Sequence, residues 1–151
     1  MAGYLLAANT LIDMCIEKTA AFTWLATNNI PLDDIFISVI SLSAARRAIA
    51  AAPHLNDPSK GRLLHALDAR VGAMKSGGAV ILPFTEREAR VWENWIDHAP
   101  LDCDDNGTHF PASQDVRMVV ATAVQHGCTL VEPKEPYHTE LVNNQVAVHS
   151  L

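Results

Sequence analysis

Short apolar runs alternate with longer stretches of helical periodicity along the whole chain, and that alternation restricts the fold more than any other feature. Tyr4-Leu5-Leu6-Ala7 reads as a buried strand, and Ile35-Phe36-Ile37-Ser38-Val39 as a second, β-branched and aromatic one. Val80-Ile81-Leu82, Cys128-Thr129-Leu130-Val131 and Val146-Ala147-Val148 continue the series. Between them a helix is expected from about Thr10 to Thr27, with Leu11, Met14, Cys15, Phe22 and Leu25 towards the core; Asn28-Asn29 and Pro31 end it. Ser41 to Ala52 is Ala-rich and stopped by Pro53. A third helix starts near Ser59, carries Leu63, Leu64, Leu67, Val71 and Met74 at helical spacing, and stops at Gly77-Gly78. Strands separated by helices pair in parallel through right-handed crossovers. The expected fold is α/β, with helices on both faces of a central, mainly parallel sheet of about four or five strands.

The remaining helices have marked ends. Thr85-Glu86-Arg87-Glu88 is a capping box, and Ala89, Trp92, Trp95 and Ile96 follow on one face, where core packing is the default for both tryptophans. Ser113 to His126 is a helix with Gly127 as its left-handed stop, and His126 suits the negative end of the helix dipole. Leu101 to Ala112 is a polar loop. Its Asp102, Cys103, Asp104, Asp105 and His109 mix hard and soft ligands at no standard metal spacing. Gly77-Gly78 is a turn rather than a phosphate loop, and Asp33-Asp34 are turn residues before a strand.

Composition narrows the function classes. At 151 residues the chain is one domain's worth, residues 1–151, with no repeat or linker. No apolar run reaches the ~18 residues of a membrane span. The start of the chain lacks the basic region of a signal peptide, and Cys15, Cys103 and Cys128 are far apart, so reduced thiols in a cytoplasmic protein are expected. The net charge of −6 gives no long-range attraction to nucleic acid. RNA binding would need a local patch such as Arg46-Arg47 or the Arg87/Arg90 face.

Four stretches, in order, resemble a PIN domain of the VapC and FitB/StbB toxin–antitoxin type. Leu5-Leu6-Ala7-Ala8-Asn9-Thr10-Leu11-Ile12-Asp13 is similar to L-L-D-T-N-V-L-I-D, and Ile37-Ser38-Val39-Ile40-Ser41-Leu42-Ser43-Ala44 to I-S-V-I-T-L-A-E. Ile81-Leu82-Pro83-Phe84-Thr85 followed by Ala89-Arg90-Val91-Trp92 resembles the P-F-[DT] helix start. Met118-Val119-Val120-Ala121-Thr122-Ala123 with His126-Gly127-Cys128-Thr129-Leu130-Val131 resembles L-I-A-A-T-A…H-G-[LF]-T-L-V. The resemblance implies a PIN-like three-layer α/β/α fold. In the family, clustered carboxylates hold Mg²⁺ or Mn²⁺ for phosphodiester cleavage.

At the four aligned acid positions this chain has Ala7, Ala44, Val116 and Lys134, and a further family acid aligns with Tyr137. Methyl groups cannot ligate a metal and an ammonium repels one. The sequence therefore predicts a catalytically inactive PIN-type protein with no metal or other cofactor. It would act by binding an antitoxin-like protein or RNA, and the family resemblance also implies a homodimer. Asn9, Asp13, Asp115 and Lys134 are the residual pocket candidates, and Arg46 and Arg47 the candidates for RNA or partner contact. Asn9 is expected to cap the first helix, and Asp13 to be a surface charge. With its acids exchanged, and Lys134 present, the pocket is expected to tolerate a phosphate. The alternative is a weak Mg²⁺- or Mn²⁺-dependent ribonuclease recruiting displaced carboxylates such as Asp13 and Asp115, with Asp34 or Glu132 as further candidates. A third reading is a decayed relic that folds without acting.

Overall fold

The computed structural model describes residues 3–16, 18–99, 101 and 112–151. Five strands form one all-parallel sheet: β1 (Gly3–Leu6), β2 (Ile35–Ser38), β3 (Val80–Leu82), β4 (Cys128–Glu132) and β5 (Val148–Ser150), in the order β3-β2-β1-β4-β5. The central pair sets the register, with Leu5 opposite Leu130 and Leu6 opposite Val131. Successive strand residues point to opposite faces. Leu5 and Leu130 therefore join one core and Leu6 and Val131 the other, all four almost fully buried.

Helices cover each face. On the Leu6 side pack α1 (Ala8–Cys15), α2 (Ala20–Thr27), α3 (Val39–Ala51) and α4 (Asp57–Ser76), burying Leu11, Met14, Ile49, Leu67, Val71 and Met74. On the Leu5 side pack α5 (Glu86–Asn94), α6 (Gln114–His126) and α7 (His138–Asn143), with Val119, Val120 and Leu141 inside. This is the expected three-layer α/β/α arrangement.

The helix ends follow the sequence signals. Thr85 and Glu88 form the capping box of α5. Ser113 caps α6 by accepting from the Val116 N–H, and Gly127 closes it in the left-handed region. Trp92 and Trp95 are half-buried against the Leu5-side core, and the Trp92 indole N–H donates to Gln114 at 3.2 Å. Buried Arg117 donates to the carbonyls of Ile96 and Ala99, which fastens the turn after α5 to α6.

Two segments depart from expectation. The single helix over Thr10–Thr27 is two helices, because the Asp13 carbonyl accepts from the N–H of both Ile16 and Lys18 and closes α1 in a wide turn. The last strand lies at Val148–Ser150 rather than at Val146–Val148. Gln145 turns left-handed at φ 64° and the Val146 N–H bonds the Leu141 carbonyl, so Val146 closes α7 instead of joining the sheet. Cys15 and Cys128 are free, and burial pushes both thiols up. The Asp102–His109 cluster and Cys103 lie outside the described residues. Among those described, no helix is long and apolar enough to cross a membrane.

Candidate functional site

The sheet order makes β1 the point from which the chain proceeds first to β2 on one side and later to β4 on the other. In open parallel sheets a crevice opens at such a reversal, outside the carboxyl ends of the strands. A cavity of about 190 Å³ lies there, lined from β1 and α1 by Ala7, Asn9 and Ile12, from α3 by Ala44 and Ala48, and from α6 by Asp115, Val116 and Val119. Leu130, Glu132 and Tyr137 complete its β4 side.

Backbone geometry brings these elements together. The Ala7 N–H extends the β1–β4 ladder by donating to the Val131 carbonyl at 3.1 Å, and the buried Thr10 hydroxyl donates to that carbonyl at 2.7 Å. The start of α1 is thereby held against the end of β4. Ala7, Ala44 and Val116, which the sequence reading aligned from three separate stretches, share this pocket, and Tyr137 lines it with them. Their side chains supply methyl groups and a phenol.

Lys134 is not among the lining residues. It is exposed in the turn after β4, and Glu132 and Tyr137 face the cavity instead. The expected ammonium inside the pocket is therefore corrected. Asn9 differs as well. Helix α1 begins at Ala8, so Asn9 lies inside its first turn and donates to Glu135 at 3.0 Å instead of capping the helix. Burial, reinforced by the Glu132 charge, raises the Glu135 carboxyl above its ordinary range.

The candidate displaced acids divide. Asp13 is outside the pocket and pairs with Lys18 at 3.6 Å. Asp34 precedes β2 and so stands at the opposite end of the parallel sheet. Asp115 does line the pocket, and Arg47 donates to it at 2.8 Å. Arg46 is paired with Asp68 at 2.5 Å, so both candidate arginines already face carboxylates.

Glu132 is the other pocket carboxylate, buried with only 3 % of its surface exposed. The Tyr137 hydroxyl donates to its Oε1, and His138 Nε2 meets the same oxygen at 2.8 Å. Burial, with the Glu132 charge adding, holds the Tyr137 phenol firmly protonated. Ser150 Oγ lies 2.6 Å from His138 Nδ1 and extends the chain of contacts to β5. No motif in the sequence singles out His138 or Ser150. Their link depends on α7, a six-residue helix with weak periodicity that falls between two strands.

A divalent cation of the Mg²⁺ type needs several oxygen ligands, mostly charged. The donor set here does not fit one. Asp115 is neutralised by Arg47 and Glu132 is occupied by a phenol and an imidazole. Among the described residues, no three His, Cys, Asp or Glu side chains cluster suitably for a metal.

The chain matches 97% of its length to 96% of a chain in the crystal structure of FitAcB from Neisseria gonorrhoeae, at a TM-score of 0.68 and 22% identity. The fold is PIN-like. Similar agreement extends to VapBC2 from Rickettsia felis, bound to a DNA fragment from the promoter, with TM-score 0.67, 14% identity, and 100% and 99% of the two chains covered. VapBC-5 from Mycobacterium tuberculosis, a member of the VapBC family of toxin–antitoxin systems, gives 0.62 and 18% over 99% and 97%. No protein-family model matches the sequence, and no curated protein matches it. At these identities it is the PIN-like fold that is shared.

Proposed function

We propose that this PIN-like protein acts by binding an antitoxin-like protein, without cleaving RNA. The observation that carries the reading is the pocket at the β1–β4 switch point. Its walls present Ala7, Ala44 and Val116 where the family pattern has acids, and its remaining carboxylates are engaged by Arg47, Tyr137 and His138. Without a metal, neither a nucleophilic hydroxide nor charge stabilisation of the phosphoryl oxygens is supplied. The helical layers that surround the site are all present, which supports a role in binding that needs no metal. Among the neighbours of known structure, VapBC-5 belongs to a family of toxin–antitoxin systems and VapBC2 was crystallised on a promoter DNA fragment, which supports a cytoplasmic protein in a complex of that kind.

Manganese binding tests the reading. Free aqueous Mn²⁺ gives a six-line electron paramagnetic resonance signal that weakens when the ion binds protein. The signal of substoichiometric Mn²⁺ is expected to stay at full height when this protein is added. Stoichiometric loss of signal, reversed by Asp115→Asn, would support the alternative of a weak nuclease with displaced acids.

A further inference from the structure

The contacts of His138 continue past the pocket as an ordered relay to β5. In the sheet, Ser150 on β5 is the register partner of Glu132 on β4, and α7, which connects the two strands, begins at His138. The crossover therefore places one imidazole over two neighbouring strand ends. Glu132 Oε1 lies 2.8 Å from His138 Nε2, and Ser150 Oγ lies 2.6 Å from His138 Nδ1. An ionised carboxylate only accepts hydrogen bonds, so Glu132 fixes the imidazole proton on Nε2 and leaves the Nδ1 lone pair for the serine hydroxyl. The Glu135 N–H also donates towards Nδ1, but at 3.5 Å it is a much longer and weaker contact than the serine's.

Burial divides the relay as catalysis requires. Glu132 and His138 are 3 % and 6 % exposed, whereas Ser150 is exposed on an edge strand. A nucleophile that solvent can reach, a base within hydrogen-bond reach and a third group orienting that base form the activated-nucleophile arrangement. It is recognised by geometry and roles, independently of fold.

We infer that Ser150, with His138 as its base and Glu132 orienting that base, is an activated nucleophile that takes an acyl group from activated esters. Ser150 Oγ attacks the ester carbonyl carbon as its proton passes to His138 Nδ1. The carbonyl re-forms, the bond to the leaving oxygen breaks, and the acyl group stays on Oγ. The leaving oxygen takes that proton back from His138, or departs as an aryloxide while His138 releases the proton to solvent; either way the imidazole is neutral again. Water, deprotonated by the same imidazole, then attacks the acyl carbon, and Ser150 Oγ leaves with that proton.

The substrate class follows from the neighbouring backbone donor. A backbone N–H beside the nucleophile stabilises the oxyanion in efficient acyl-transfer enzymes. The Leu151 N–H is already spent on the Glu132 carbonyl at 2.9 Å. The relay is thus matched to aryl esters, whose leaving groups are good, and not to amides.

The test uses p-nitrophenyl acetate and the full chain. The expected result is release of p-nitrophenolate with an acetyl group mapped by mass spectrometry to Ser150. The label is expected to be absent in Ser150→Ala and to form at least tenfold more slowly in His138→Gln. No acetylation at residue 150, or an unchanged rate in a folded His138→Gln, overturns the inference. Should His138→Gln fail to fold, the thiol introduced by Ser150→Cys decides in an otherwise intact chain. Alkylation by iodoacetamide at neutral pH at least tenfold faster than free cysteine supports the relay, and an ordinary or slower rate overturns it.

Discussion

Arg47 on α3 donates to the Asp115 carboxylate on α6 at 2.8 Å, which joins the two helices that carry Ala44 and Val116 into the switch-point pocket. A guanidinium thus neutralises a carboxylate that faces the cavity. The pair is largely solvent-exposed, so its contribution to stability is small, of the order of 0–1 kcal/mol. Its consequence for chemistry is larger, since a metal would have to displace the arginine.

Restoring acids reverses the balance. The combined variant Ala7→Asp, Ala44→Glu and Val116→Asp adds three carboxylates to a pocket that already holds Asp115 and Glu132. Like charges at close range destabilise one another, so the metal-free variant is expected to melt below the parent. Mn²⁺ at about 100 times its dissociation constant adds about 2.7 kcal/mol, which is ~5–10 °C for a chain of this size. The parent's melting temperature is expected to stay unchanged, and differential scanning fluorimetry with and without Mn²⁺ measures both.

Glu88 predicts an acid-sensitive clamp between α5 and α6. Its buried carboxylate accepts from the Thr85 N–H at 2.9 Å and from His126 Nε2 at 2.7 Å. Burial alone would raise its pKa, but the hydrogen bonds from Thr85 and His126 outweigh that and bring it down to about 2. A carboxyl lowered from an ordinary 4.5 stabilises the fold above that value by about 3 kcal/mol and loses the contribution as pH falls towards 2. Urea unfolding should show the parent more stable than Glu88→Gln at pH 7, with the gap narrowing steadily below about pH 4.5.

Gly127 ends α6 at φ 63° with open space where a side chain would start. Gly127→Ala therefore costs only the left-handed strain, about 1 kcal/mol. The expected fall in melting temperature is ~2–4 °C, with no change in the helical content seen by circular dichroism.

Much of this architecture was legible because the strongest local signals agree with the tertiary fold. The β-branched run at Ile35–Ser38 pairs as a strand, the Thr85–Glu88 box caps a helix, and Gly127 turns where only glycine is unstrained. Ala7, Ala44 and Val116 meet because each stands where a strand end or a helix turn faces the switch point, a position the motif spacing preserves. Other features depend on contacts distant in sequence. Lys134 and Glu132 differ by two residues, yet only the course of the chain after β4 decides which faces the cavity. Asn9 resembles a cap in sequence, but the cap position falls two residues earlier, at Ala7, and Glu135, 126 residues away, takes its amide. The break after Cys15 has no proline or glycine to announce it. The Glu132–His138–Ser150 relay depends on strand register, which no local pattern records.

Cleavage of a pooled tRNA and ribosomal RNA substrate separates a binding protein from a nuclease. Purified protein is incubated with the pool in Mn²⁺ and in Mg²⁺, beside an intact PIN-domain ribonuclease as control. No cleavage by this protein is expected while the control degrades the pool. Cleavage that EDTA stops and Asp115→Asn abolishes would contradict it, and would mean that displaced carboxylates hold the metal.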